Sequence, residues 1–266
     1  MDTPSIYGWY LPPNYSAHGA IIDQLIVIMH VFMVALFVGW GLFFVYCLIR
    51  FRQRAGHKAT HDLPHSKLPK FLEIAVVLFE AAVLVGLSYP AWSKLKTSFP
   101  NKADATNIRI VAQQFVWNVQ YPGPDGVFGR TDPKSVSDSN PIGLDLNDPA
   151  SKDDITTLNQ LHFPVNKPVI AELSSKDVIH SFFIPVLRVK QDAIPGMKIP
   201  IWWEANHTGQ FEIGCAQLCG NGHTTMKGYV SIDSPEDYKT WFDEQQKELN
   251  PPPAEPAAAP ASQPTN

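Results

Sequence analysis

From Leu25 to Ile49 the chain reads LIVIMHVFMVALFVGWGLFFVYCLI, without a single Asp, Glu, Lys or Arg. At about 1.5 Å per residue such a helix outspans the roughly 30 Å hydrocarbon layer of a membrane. A second apolar run, Phe71 to Pro90 (FLEIAVVLFEAAVLVGLSYP), just reaches spanning length and carries Glu73 and Glu80. Acids in a span are costly unless they face protein or water. From Trp92 the pattern changes to short runs broken by Gly, Pro, Asn and Asp. Asn107–Ala112, Val169–Leu173, Lys198–Ala205, Gly209–Gly214 and Gly228–Ile232 read as strands of an all-β domain. Ser234 followed by Pro235 opens a short helix. The stretch Pro122–Leu158 is rich in Gly, Pro, Asp and Ser and predicts a solvated surface excursion. Four segments result: a lead-in over 1–24, a helix hairpin over 25–93, a β domain over 94–249, and a Pro/Ala-rich tail over 250–266, expected to be disordered.

Charge orients the hairpin. Six basic residues lie between Arg50 and Lys70 against one acid, Asp62, and no Lys or Arg precedes the first span. The positive-inside rule then puts the connector in the cytoplasm and both termini outside. The first run is too long for a signal-peptide core, and no basic region precedes it. Its purity also argues against a soluble helical hairpin. The chain has 266 residues and a net charge of -4; from Lys94 onward 20 acidic residues face 15 basic ones. That balance offers no nucleic-acid surface and suits a cationic partner.

Only three cysteines are present, too few for a disulfide scaffold. Cys47 sits inside the first apolar run. The other two lie in Cys215-Ala-Gln-Leu-Cys219-Gly-Asn-Gly-His223-Thr-Thr-Met226, with an imidazole and a thioether close behind. Thiolate, thioether and imidazole select copper over hard cations. A mononuclear blue-copper centre needs one cysteine, so this loop has one thiolate too many. Two thiolates can instead bridge two copper ions, and Asp177-Val-Ile-His180-Ser-Phe-Phe offers a second imidazole. A Cys215–Cys219 disulfide, a surface His223 and a core-filling Met226 are the rival readings.

This loop, Asp177–Pro185 and Lys190-Gln-Asp-Ala-Ile-Pro-Gly196 together resemble cytochrome c oxidase subunit II of the binuclear copper (CuA) type, over about Ile21 to Phe242. The resemblance implies a two-helix transmembrane hairpin followed by a cupredoxin-like Greek-key barrel. It implies His180 and His223 as terminal copper ligands, Cys215 and Cys219 as bridges, and Met226 and the Gln217 carbonyl as weak ligands. It further implies the electron-accepting subunit of an aa3-type oxidase in a bacterial cytoplasmic membrane. Cytochrome c would be the donor, subunit I the haem-bearing partner and subunit III a neighbour; oxygen reduction there is coupled to proton pumping. The alternative is a membrane-anchored copper-binding or assembly protein without an oxidase role. No Cys-x-x-Cys-His motif occurs, so no fused cytochrome c domain is expected.

Two positions depart from the family pattern. Gln217 stands where a glutamate usually helps hold magnesium, which puts a magnesium site in doubt. Phe115 stands at the place of a tryptophan where electrons enter, while Trp117 matches the family's second tryptophan. A glutamate at the place of Glu73 is associated in the family with the mouth of a proton path; Glu80 has no such counterpart. Seven residues apart, the two acids share a helix face.

Overall fold

The computed structural model describes residues 11–58, 61 and 66–249. The tail, the first ten residues of the lead-in and Asp62 of the connector lie outside the described residues. The described residues divide into two compact units, residues 16–99 and a β unit of residues 100–249 that also includes residues 11–15.

In the first unit, helix α1 (Gly19–Arg50) is followed by α2 (Leu68–Val83), a π-helical turn over Leu84–Ser88 and α3 (Tyr89–Lys96). Both stretches, 32 and 29 residues long, are apolar enough to cross a membrane, and their most apolar windows are unburied within the chain. Both outrun their apolar cores: α1 begins six residues before Leu25, and the second helix continues past Pro90. Backbone hydrogen bonding propagates a helix beyond its apolar stretch, so the polar ends remain helical. The π turn lies just before Pro90, whose missing N–H and ring disrupt the regular ladder. Phe32 and Phe79 meet at 4.3 Å between ring centroids, joining α1 to α2.

Among the described residues of the second unit, ten strands form two five-stranded sheets. One holds β1 (Thr106–Gln113), β2 (Val116–Tyr121), β3 (Ile155–Leu158), β5 (Pro168–Ser175) and β8 (Ile199–Glu204), in the order β3-β2-β1-β5-β8. The other holds β4 (Gln160–Pro164), β6 (His180–Ile184), β7 (Val189–Ala193), β9 (Gly209–Cys215) and β10 (Lys227–Asp233), in the order β4-β10-β9-β6-β7. β1 and β5 run parallel, as do β10 and β4, because the chain crosses repeatedly between sheets. Strand β1 alternates buried and half-buried positions, so Ile108, Ile110 and Ala112 enter the core while Arg109 and Val111 face outward. Trp117, Trp203, Tyr121, Phe163 and Phe182 fill the space between the sheets. Two apolar helices and then an all-β, two-sheet cupredoxin-like domain are what the sequence predicts.

Two expectations need correction. Pro122–Leu158 is not merely a solvated excursion. Its last four residues are β3, Ile142 and Leu144 are buried, and Thr131 bridges to Leu144. Its aspartates mostly cap its own turns: Asp125, Asp132, Asp145 and Asp148 each accept a backbone N–H two residues on. The helix after Ser234 is also not short. It runs over Pro235–Leu249 (α4), because Tyr238, Trp241 and Phe242 recur on one face and pack near the β core. Ser234 Oγ caps it by accepting from the Asp237 N–H at 3.1 Å.

The N-terminal segment packs on the β unit. Tyr15 donates to the Val186 carbonyl, Asn206 donates to the Tyr15 carbonyl, and Arg188 donates to the Pro12 carbonyl.

Candidate metal centre

Sheet pairing brings the ligand segments together. β6 begins at His180, β9 ends at Cys215, and the two strands pair with Phe182 opposite Cys215. β10 starts at Lys227 opposite Gly214, so residues 216–226 form the loop that closes this corner. His180 is fully buried, as are Cys219 and Met226 to within a few per cent.

The two sulfurs occupy the middle of the cluster. Cys215 Sγ and Cys219 Sγ are 3.8 Å apart and both thiols are free. His180 Nδ1 lies 4.0 Å from Cys215 Sγ, and His223 Nδ1 lies 3.6 Å from Cys219 Sγ. Met226 Sδ is 3.8 Å from Cys219 Sγ, and the Gln217 carbonyl is 3.1 Å from Cys215 Sγ. The donor atoms of His180, Cys215 and Cys219 all fall within 4.8 Å of one another. All six sequence-predicted ligands are thus brought together. Three soft sulfurs, two imidazole nitrogens and one carbonyl fit copper, not a hard cation.

Surrounding groups fix this arrangement. His180 Nε2 meets Asp177 Oδ1 at 2.8 Å, which leaves Nδ1 turned toward the sulfurs. Burial would raise the Asp177 carboxyl, but bonds from the Gln114 N–H, the His180 ring and the Val178 N–H outweigh it and hold it below the usual range. Burial pushes the Cys219 thiol up to about 11, and the neighbouring Cys215 adds to the shift. Such a thiol gives up its proton when a cation takes its place. Gln114 Nε2 also donates to the Cys219 carbonyl at 2.6 Å, tying the loop to the end of β1. Asp177 and Gln114 are the functional neighbours that sequence reasoning missed. Their only signal was an acid three residues before His180.

Of the two aromatics, Trp117 is fully buried, with its ring edge-on to His180 at 6.2 Å and to Phe182 at 5.5 Å. Only Phe115 reaches the surface. Its ring lies on the backbone of Gly220 and Gly222, and a Cβ on Gly222 would strike it. Gly220 also has φ +132°, a conformation that side chains rarely adopt. The loop therefore needs glycine at both places to seat the ring. Glu73 and Glu80 lie in α2, which belongs to the other unit, and both are exposed within this chain. His162 and His207 stay out of the cluster. His162 pairs with Asp233 at 2.9 Å and stacks on Trp241, while His207 bonds Asn206.

Comparison with known proteins places this geometry in context. The family model "Cytochrome C oxidase subunit II, periplasmic domain" matches residues 106–232. The chain is 35% identical over 239 residues to alternative cytochrome c oxidase subunit 2 of Bradyrhizobium diazoefficiens, covering 89% of this chain and 84% of that protein. It is 28% identical over 264 residues to cytochrome c oxidase subunit 2 of Cereibacter sphaeroides, covering 92% and 82% respectively. The crystal structure of the periplasmic domain of subunit II of cytochrome oxidase of Bradyrhizobium japonicum aligns with 56% of this chain and 98% of its own, at 27% identity and a TM-score of 0.42.

Proposed function

The chain belongs to the cytochrome c oxidase subunit II family, and from that membership we propose that it takes electrons from cytochrome c and hands them to haem in subunit I. As a family member it is a membrane-anchored part of an oxidoreductase complex. The observation that carries the finer reading is the convergence of His180, Cys215, Gln217, Cys219, His223 and Met226 at one corner of the β domain. These six residues would hold a binuclear copper centre. Bound there, it would supply one-electron redox chemistry without an open position for substrate.

The chain's own residues do the rest. Packed strands on both sides of the loop hold the ligands in place, which keeps the reorganisation cost of electron transfer low. Asp177 orients His180, and buried Trp117 walls the centre from the core side. Phe115, half-exposed over the loop, is the surface contact through which a donor reaches the site. The neutral Gln217 side chain gives no charge to a magnesium ion beside it. Both termini and the β domain lie on the outer side of a bacterial cytoplasmic membrane, with the segments bounded at 1–24, 25–93, 94–249 and 250–266. Subunit III completes the set of expected partners.

The donor assignment is tested by rapid mixing of the copper-loaded protein with reduced cytochrome c at increasing salt. An acidic docking face predicts a second-order rate that falls steeply as ionic strength rises. A rate indifferent to salt would exclude electrostatic docking of a cationic donor.

Glu73 and Glu80 share one face of α2, exposed within this chain. Two acids on one face of a helix apolar enough to span a membrane call for a polar partner, and subunit I is the one the reading supplies. Glu73 then marks where protons enter, and Glu80 pairs with a polar group of that subunit. Glu73→Gln is expected to slow turnover of the intact oxidase with its copper spectrum unchanged. Wild-type turnover would remove Glu73 from the proton path.

A further inference from the structure

A second cluster of donors lies in the β unit where the 122–158 segment leaves and rejoins the sheet. Gln120, in β2, is fully buried; Ser151 and Asp154, which precede β3, are 7% and 3% exposed. Asp154 Oδ2 accepts from Gln120 Nε2 at 2.6 Å and from the Gly129 N–H at 2.9 Å. The other oxygens of this group are buried as well. Asp154 Oδ1, Gln120 Oε1 and Ser151 Oγ are buried without a hydrogen-bond partner among the described residues. The three side chains adjoin: Gln120 Nε2 bonds Asp154 Oδ2, and a Cβ at Gly129 would strike Ser151 Oγ and crowd Asp154 Oδ2 as well.

Three buried, unpartnered oxygens, one of them anionic, form a costly arrangement. Arg109 is near enough for its charge to favour the ionised Asp154 carboxyl, but it is engaged elsewhere. Arg109 bonds the Gly129 carbonyl at 3.1 Å and pairs with Glu172 at 3.3 Å. Burial, with the neighbouring Asp153 charge, pushes the Asp154 carboxyl above its usual range against the Gly129 and Gln120 bonds and the Arg109 charge. The donor set is all oxygen, one carboxylate with an amide carbonyl and a hydroxyl, and contains neither sulfur nor imidazole. That chemistry suits a hard, weakly charged-site cation and rejects copper.

We propose that Gln120, Ser151 and Asp154 form a second cation site, taking a hard oxygen-preferring ion of the calcium or sodium kind. It pins the 122–158 segment to β2 and β3. Asp153, beside Asp154, extends the anchor to α4, since Gln246 donates to the Asp153 carbonyl at 2.6 Å. The site shares no residue with the sulfur centre and differs from it in chemistry, and does not depend on the copper reading.

The test uses the full chain in detergent, stripped with a chelator selective for hard divalent ions and then given calcium chloride, sodium chloride or choline chloride at matched ionic strength. Calcium or sodium is expected to raise the thermal unfolding midpoint of the β unit where choline does not, and calorimetric titration identifies which ion binds. Asp154→Asn is expected to weaken that binding by about tenfold or more, because the site loses its one charged ligand. No cation-specific shift and no binding heat would mean that the cluster holds a buried water or a proton only, and would overturn the proposal. Unchanged affinity in Asp154→Asn would overturn it equally. If that variant does not fold, Ser151→Ala, which keeps the Gly129 and Gln120 bonds, decides: weakened cation binding supports the site, and wild-type binding overturns it.

Discussion

Serine in place of Cys215 or Cys219 is expected to abolish binuclear copper binding and reduce turnover of the assembled oxidase to background. The two sulfurs sit 3.8 Å apart at the middle of the cluster, with the other four donors disposed around them. A serine hydroxyl is nearly the same size but is a hard donor that does not ionise at neutral pH, so it cannot replace a bridging thiolate. Little of the core changes, because only Cys219 is well buried and its neighbours remain. The unfolding midpoint of the metal-free protein is therefore expected to move little. Copper analysis and turnover of both variants check the prediction. Two coppers per chain in either variant would show that the thiolates are not the bridge.

Trp117→Ala is expected to cost about 3–5 kcal/mol of stability, as truncation of a large buried aromatic commonly does. The indole is fully buried and meets Phe182 edge-on at 5.5 Å and His180 at 6.2 Å, so the cavity would open beside a ligand. Copper should then be held less firmly as His180 gains freedom, although Asp177 still bonds its other nitrogen. Denaturant unfolding of the purified chain measures the first effect, and copper release to a competing chelator the second. Trp117→Phe, which keeps most of the volume, is expected to lose less on both counts. A loss below about 1 kcal/mol in the alanine variant would mean that the corner collapses to fill the space.

What the sequence made legible follows the physics of each element. The two apolar helices could be read because membrane solvation demands long uncharged runs. β1 could be read because one face is core and the other is not, which writes alternation into Thr106–Gln113. β2 escaped because Trp117–Tyr121 is buried on both faces, and a strand covered on both sides shows no alternation. The short strands β3, β4, β6 and β7 were hidden by neighbouring turn formers or, for β6, by a motif read only for its chemistry. The packing of Ile142 and Leu144 was invisible because each stands singly among Gly, Pro and Asp. The ligands were legible because five of the six positions lie in one loop. The roles of Asp177 and Gln114 depend on where β1 ends relative to that loop, which no local pattern encodes. The unpartnered oxygens of Gln120, Ser151 and Asp154 are likewise a product of tertiary closure.

The central proposal is that Cys215 and Cys219, with His180, Gln217, His223 and Met226, would hold two copper ions at this corner of the β domain. Copper analysis combined with electron paramagnetic resonance of the oxidised, copper-loaded protein tests it most directly. The account predicts two copper ions per chain sharing one unpaired electron equally between them. One copper per chain with its electron confined to a single nucleus would contradict it.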